Sequence, residues 1–269
     1  MQRRHSIRHL AWRGGVAMVS DGLMLSGLYP LAIHAWRAVH GDRRPHALRI
    51  AFAEWCMALA VSALRPVGFL PLPGATTRGP RPIVVLHGYA MNRANFVLLA
   101  RRLAAVGLGP IYGFEYWTLG RVAAGARQLG WFVDQVREAT GSDEVDIVGH
   151  SMGGVVARYY VAFGGGDARV RNLVTLGSPH AGTDVSAVGI GHASKELIAG
   201  SQLLTRLGAS PAPVHARLTT ILSEADALVP ARSQPPIVGA ERIVYPDLGH
   251  VALLGSRRVA RDVIARLTD

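Results

Sequence analysis

A serine stands between two glycines where a predicted strand turns into a predicted helix. The segment Gly149-His150-Ser151-Met152-Gly153 follows a short apolar run that starts at Val145, and a helical pattern follows it. In a G-x-S-x-G strand–turn–helix unit, the serine lies on a sharp turn that exposes its hydroxyl. Gly149 and Gly153 keep the positions two residues from Ser151 free of side chains, as such a turn requires. The segment predicts a nucleophilic serine, although a glycine-rich turn without chemistry shows the same pattern.

A serine hydroxyl becomes a strong nucleophile only beside a general base that an acid holds in place. These partners are expected on loops after later strands, in the chain order serine, acid, histidine. Asp226 follows the apolar run Leu218 to Leu222, and His250 follows the next predicted strand. Ser151, Asp226 and His250 are therefore the predicted nucleophile, acid and base.

Two other acids compete for the second role. Glu224 precedes the turn that carries Asp226, and Asp247 lies three residues before His250, where it can shape the loop. We prefer Asp226 because it lies in the turn after its strand, whereas a residue at the position of Glu224 is more often solvated or a cap. Histidines at other strand ends more often pack and hydrogen-bond than act as bases. They are His87, His150 and His180.

An acyl-transfer site also needs two backbone N–H donors for the developing oxyanion. The residue after the nucleophile, Met152, supplies one. The loop after the first core strand, His87-Gly88-Tyr89, places the N–H of Tyr89 for the second, and Gly88 lets the backbone approach the substrate closely. Tyr89 and Met152 are the predicted oxyanion-hole residues.

Composition excludes several other functions. The formal net charge is +11, yet the basic residues are scattered arginines with a single lysine, Lys195, and no nucleic-acid-binding motif accompanies them. We therefore expect no nucleic-acid partner. Cys56 is the only cysteine, which excludes an internal disulfide and a cysteine-based metal site, and its apolar surroundings predict burial. We expect no metal and no cofactor.

From residue 79 onward, strands and helices alternate, which predicts an α/β fold with a mostly parallel sheet and helices on both faces. Residues 79–269 are the predicted catalytic domain. It contains an insertion, Thr183 to Pro213, with one predicted helix from about Ala193 to Leu207. That helix is either a small cap that lines an acyl pocket or a helix packed on the sheet.

Residues 1–78 form a predicted N-terminal hydrophobic helical extension. Apolar stretches from Val16 to Trp36 and from Ile50 to Leu64 follow arginine-rich segments. Asp21 and Glu54 interrupt these stretches, so helices that lie against a membrane or pack on the enzyme are favoured over spanning helices. The expected location is the membrane or cell envelope, with secreted or cytoplasmic location as the alternative.

Four segments resemble one family: Val85 to Tyr89, Val145 to Gly154, Leu176 to Thr183 and Gly249-His250. Together they are similar to bacterial triacylglycerol lipases of the α/β-hydrolase superfamily, especially the class 2 lipases and their small lidless relatives. The resemblance covers residues from about 80 onward. It implies an α/β-hydrolase fold, Ser151, Asp226 and His250 as the triad, and Tyr89 and Met152 as oxyanion donors.

The function that the resemblance implies is a serine carboxylic-ester hydrolase, a lipase or esterase, acting on an acyl ester or lipid through an acyl-enzyme. Two alternatives stay open. One is an acyltransferase that uses the same machinery with an alcohol acceptor in place of water. The other is a non-enzymatic membrane-associated protein that retains a hydrolase fold.

Overall fold

The computed structural model describes residues 47–184, 186 and 189–269. Within them, six parallel strands form one sheet in the order β2-β1-β3-β4-β5-β6. The strands are β1 (Ile83–Leu86), β2 (Ile111–Phe114), β3 (Val145–His150), β4 (Val170–Leu176), β5 (Arg217–Ser223) and β6 (Glu241–Tyr245). Every residue of β1 and β3 is buried, as expected for central strands of a parallel sheet. The predicted parallel sheet is confirmed.

Eight α-helices accompany this sheet in the described part of the chain. They are α1 (Ala47–Leu64), α2 (Val97–Ala105), α3 (Val122–Thr140), α4 (Met152–Phe163), α5 (Gly191–Glu196), α6 (Gln202–Gly208), α7 (Ala252–Gly255) and α8 (Arg257–Thr268). Short 3-10 turns lie at Arg65–Val67, Arg93–Phe96, Gly166–Ala168 and Ala231–Ser233.

The helices cover both faces of the sheet, and each face has its own apolar core. Leu129 of α3 and Val156 of α4 belong to the core on one face. Leu103 of α2 and Val263 of α8 belong to the core on the other. The predicted α/β-hydrolase architecture with helices on both faces is therefore confirmed. It gathers the loops that follow the strands at one edge of the sheet.

The second apolar stretch of the N-terminal extension is helix α1, and it packs on the catalytic fold. Val61 joins the core that contains α2 and α8. The opposite side of α1 is open: Leu48 is 88% exposed and Phe52 is 63% exposed. Cys56 also lies on this open side, so its predicted burial was wrong. Only one stripe of this mostly apolar helix faces the protein, and Cys56 lies outside that stripe.

The first apolar stretch, Val16 to Trp36, and the arginines before it lie outside the described residues. Among the described helices, the segment Ala47–Val67 is long and apolar enough to cross a membrane, with a mean hydropathy of 1.6. A core helix of a soluble protein meets the same criteria of length and composition. The domain boundary near residue 78 stays a prediction.

The insertion differs from its prediction. The expected single helix from Ala193 to Leu207 is two short helices, α5 and α6. Helix α5 ends at Glu196, Gly200 then takes a left-handed φ of 78°, and the Ser201 hydroxyl accepts the Leu204 N–H at 3.3 Å as a new N-cap. The Leu207 side chain is fully buried in the core beneath the insertion.

Candidate active site

Ser151 occupies a sharp turn between β3 and α4. Its φ of 54° and ψ of −127° are strained values for a residue with a side chain. The strained turn holds because both flanking glycines are packed against backbone. A Cβ on Gly149 would lie 2.6 Å from Gly154 Cα, and one on Gly153 would lie 2.5 Å from Leu86 O. The turn therefore has the form that the sequence predicts around Ser151.

Asp226 and His250 form a buried, hydrogen-bonded pair. Asp226 follows β5, His250 follows β6, and His250 Nδ1 lies 2.7 Å from Asp226 Oδ2. The other carboxylate oxygen, Oδ1, accepts the backbone N–H groups of Leu228 and Val229, each at 2.8 Å. Three donors thus fix the carboxylate, and the carboxylate orients the imidazole.

The electrostatics of this pair favour ionised Asp226. Burial raises the pKa of the Asp226 carboxyl, but the charge and hydrogen bond of His250, with the two backbone donors, outweigh burial and hold that pKa below its ordinary value. Burial lowers the pKa of His250, yet the charge and hydrogen bond of Asp226 raise it above its ordinary value. Asp226 is therefore suited to stabilise a protonated His250.

Backbone contacts bring the Ser151 turn to the same edge of the sheet as the pair. The Ser151 N–H donates to Leu176 O at 2.8 Å. A Cβ on the next residue, Gly177, would lie 3.1 Å from Asp226 Oδ2 and 3.2 Å from His250 Nδ1. No hydrogen bond joins Ser151 Oγ to His250 within the described residues. Such contacts are often long or poorly aligned before substrate binds.

The segments that carry the two predicted oxyanion donors lie next to Ser151. Met152 is the first residue of α4, so its N–H has no acceptor within the helix. The Tyr89 loop lies against the serine, because a Cβ on Gly88 would be 2.9 Å from Ser151 Cβ. The Tyr89 hydroxyl fixes this loop by donating to Ile190 O at 2.6 Å. The loop of Tyr89 and the start of α4 therefore both lie beside the serine.

The competing acids have other surroundings. Asp247 is half exposed and forms an ion pair with Arg258. The Glu224 backbone N–H donates to Tyr245 O at 2.8 Å. Asp226 is hydrogen-bonded to the imidazole of His250 at 2.7 Å, which favours it as the acid.

The other strand-end histidines pack and hydrogen-bond, as their positions predict. His87 Nε2 lies 3.2 Å from Glu115 Oε2. His150 Nε2 contacts the backbone oxygen of His250 at 3.1 Å, and His180 Nε2 contacts Thr175 Oγ1 at 3.1 Å. Burial lowers the pKa of both His150 and His180 to about 3, so both are neutral supports of the loops.

Two buried side chains near the site were missed by sequence reasoning. Gln234 accepts the Ala181 N–H and donates to Gly182 O, both at 2.8 Å, and so holds the segment after β4. Glu54 of α1 reaches the loop that carries His250. The only signal for Glu54 is a lone carboxylate in an apolar helix.

A cavity of about 340 Å³ lies beside the insertion. Leu204 and Thr205 of α6 line it, with the buried His180 and Arg158. Ser151, Asp226 and His250 do not line it. The insertion thus contributes both to a cavity wall and to the core, which leaves both predicted roles of this segment in place.

Comparisons with known proteins agree with this fold. A family model described as the α/β hydrolase fold matches residues 81–194. A triacylglycerol lipase from Pseudarthrobacter phenanthrenivorans is 40% identical over 57 residues, which are 21% of this chain and 17% of the relative. This chain therefore matches about a sixth of the length of that curated relative.

Two solved structures share the fold. The mature form of the Bacillus licheniformis lipase BlEst2 has a TM-score of 0.63 and 14% identity, over 70% of this chain and 94% of that one. The monoacylglycerol lipase of Paleococcus ferrophilus has a TM-score of 0.52 and 15% identity, over 71% of this chain and 96% of that one. At such identities the likeness shows the fold alone.

The chain is a protein of the α/β-hydrolase fold. Within that fold, its sequence is similar to bacterial triacylglycerol lipases, which confirms the resemblance that its motifs indicate.

Proposed function

We propose that this protein is a serine carboxylic-ester hydrolase of the lipase or esterase type. The observation that carries the proposal is the buried pair of His250 and Asp226, 2.7 Å apart, at the same sheet edge as the strained turn of Ser151. A base held by an acid beside a partly exposed serine is the arrangement that activates a hydroxyl for acyl transfer.

Acylation begins when His250 Nε2 accepts the proton of the Ser151 hydroxyl and Oγ attacks the ester carbonyl carbon. The carbonyl oxygen becomes an oxyanion, which the N–H groups of Tyr89 and Met152 stabilise. His250 then gives its proton to the leaving alcohol, and the C–O bond of the ester breaks. Asp226 accepts a hydrogen bond from Nδ1–H throughout, which leaves Nε2 free as the base.

Deacylation repeats these steps with water as the nucleophile. His250 takes a proton from water, the resulting hydroxide attacks the acyl carbon, and the Ser151 oxygen leaves with the proton of the imidazolium. The products are a carboxylic acid and the free enzyme. An alcohol that reached the acyl-enzyme before water would give a new ester, which is the acyltransferase alternative.

The test is a series of soluble esters from acetyl to palmitoyl, together with an emulsified triglyceride. We expect the wild type to hydrolyse them and Ser151→Ala to be inactive but folded. Reactions with added alcohols, with the products identified by mass spectrometry, distinguish water from an alcohol as the acyl acceptor. New esters in place of carboxylic acids would indicate an acyltransferase. Absence of Ser151-dependent turnover on every substrate would contradict the proposal.

We also propose that the open side of α1 and the turn after it contact a lipid surface. Phe52 is 63% exposed, and Phe69 is 73% exposed with Leu70 beside it at 50%. Exposed apolar side chains of this size favour shallow insertion between headgroups. Full-length protein should float with vesicles that contain anionic lipid, and Phe69→Glu with Leu70→Glu should reduce that fraction. Equal flotation of the wild type and this variant would contradict the proposal.

A further inference from the structure

Helix α1 delivers one buried carboxylate to the loop of His250. The Glu54 side chain is only 4% exposed, although it lies in an otherwise apolar helix. Its Oε1 accepts the Val251 N–H at 2.7 Å, and its Oε2 accepts the Ala252 N–H at 2.9 Å. These two N–H groups follow His250 directly. Glu54 lies outside residues 81–194, the segment that matches the α/β-hydrolase family.

These two N–H groups lack a local acceptor. They stand at the start of α7, where the first N–H groups of a helix have no acceptor within the helix. The N-cap position is Val251, whose side chain cannot accept a hydrogen bond. Glu54 therefore caps α7 from a distant part of the chain, and a carboxylate at a helix N-terminus is electrostatically favourable.

Glu54 also contacts the residue before His250. A Cβ on Gly249 would lie 2.6 Å from Glu54 Cδ and 2.9 Å from its Cβ, so only glycine fits there without displacing the carboxylate. The backbone of the loop thus meets Glu54 on both sides of His250. His150 Nε2, which contacts the His250 backbone oxygen at 3.1 Å, holds the loop from the sheet.

The hydrogen bonds favour the ionised form of Glu54. Each of its oxygens accepts a backbone N–H, and such donors stabilise the charged form of a carboxyl. Burial holds the pKa of Glu54 above its ordinary value, although the two N–H donors and the charge of His250 lower it in part. Among the titratable groups that face His250, Asp226 and Glu54 raise its pKa, and His150 is held neutral by burial.

We propose that Glu54 is a positioning residue of the hydrolase: by holding the Val251 and Ala252 N–H groups, it fixes the loop that aims His250 at Ser151. This inference rests on the proposed function. It also makes α1 a part of the catalytic apparatus, since no residue from β1 onward replaces the two hydrogen bonds within the described chain.

The first test is Glu54→Gln, measured as kcat and KM on a soluble butyrate ester from pH 5 to 9. The amide oxygen of the glutamine can accept only one of the two backbone N–H groups, and its NH₂ group faces the other. The loop therefore loses one hydrogen bond and the nearby negative charge. We expect kcat to fall about 10- to 100-fold, the cost of a misplaced catalytic group, with KM nearly unchanged. The acid limb of kcat/KM should move to lower pH, because a negative charge beside His250 is gone.

The matched control is Ala53→Gln, which places the same residue one position away on the exposed side of α1. This variant should retain the wild-type kcat and the wild-type acid limb in the pH profile of kcat/KM. A folded Glu54→Gln protein with kcat within twofold of wild type and an unchanged acid limb would overturn the inference. Inactivity of the wild type itself would instead refute the proposed function, so the two failures are distinguishable.

Gly249→Ala provides a second variant that leaves Glu54 intact. The new methyl displaces the carboxylate, and kcat should fall as in Glu54→Gln. If the two changes act through one contact, the double variant loses no more than the worse single variant. Multiplicative losses would overturn the inference. Should Glu54→Gln fail to fold, Gly249→Ala alone decides: wild-type kcat in this variant refutes the positioning role.

Discussion

Asp226→Asn is the perturbation whose consequence is most fully determined by the structure. The carboxylate oxygen Oδ1 accepts two backbone N–H groups, from Leu228 and Val229, and both need an acceptor. The side-chain oxygen of an asparagine must take the position of Oδ1 to accept these two N–H groups. The NH₂ group of the asparagine then takes the position of Oδ2 and faces His250 Nδ1. Nδ1 then becomes an acceptor, and the imidazole carries its proton on Nε2.

That tautomer cannot accept the Ser151 proton. The same change in serine proteases lowers kcat by about 10⁴-fold, which corresponds to about 5 kcal/mol at about 1.36 kcal/mol per factor of ten. We expect a loss of that order here. The assay is kcat on a soluble butyrate ester at pH 8, with circular dichroism and urea unfolding to show that the variant is folded.

The control for this loss is Asp247→Asn. Asp247 is half exposed and pairs with Arg258, and exposed pairs contribute about 1 kcal/mol or less. Its replacement should leave kcat within twofold of wild type. Near-wild-type activity in Asp226→Asn, together with loss of activity in Asp247→Asn, would refute the assignment of the acid.

Three further predictions concern stability and assembly of the site. Burial lowers the pKa values of His150 and His180 to about 3, so between pH 6.5 and 3 the unfolded chain binds more protons than the folded chain. The free energy of unfolding should therefore fall by roughly 1.4 kcal/mol for each histidine with every unit by which the pH is lowered. Urea unfolding at pH 7 and 5 measures this loss, and an unchanged stability would refute it. Gly153→Ala should destabilise the protein by about 1–3 kcal/mol and inactivate it, because the methyl would meet backbone oxygen, whereas Gly208→Ala has open space and should be neutral in the same assays. A chain that starts at Arg78 lacks the hydrogen bonds of α1 to the histidine loop and should lose at least tenfold in kcat; full activity in that chain would show that α1 is dispensable.

The sheet could be predicted from the sequence because its signals are local. Ile83 to Leu86 is a continuous apolar run, and the structure buries all four residues as β1. Asp226 and His250 could be found because each stands directly after an apolar strand. Parallel strands bring such positions to one edge, whatever the length of chain between them.

The parts that sequence reasoning missed depend on non-local contacts. Glu54 and Val251 are 197 positions apart, and an apolar helix with one carboxylate gives no hint of that partner. The break between α5 and α6 depends on the left-handed φ of Gly200, which an otherwise helical pattern conceals. Cys56 was expected to be buried because its neighbours are apolar, yet burial on α1 depends on which side of the helix faces the rest of the protein.

The central claim is that Ser151 is a nucleophile activated by His250. Labelling with a fluorophosphonate probe, followed by peptide mass spectrometry, measures this directly, because the probe forms a stable adduct only with an activated serine. The account predicts one adduct per chain, located on Ser151, absent in Ser151→Ala and strongly slowed in His250→Ala. A folded wild type that takes up no probe, or a Ser151→Ala variant labelled as fast as wild type, would contradict it.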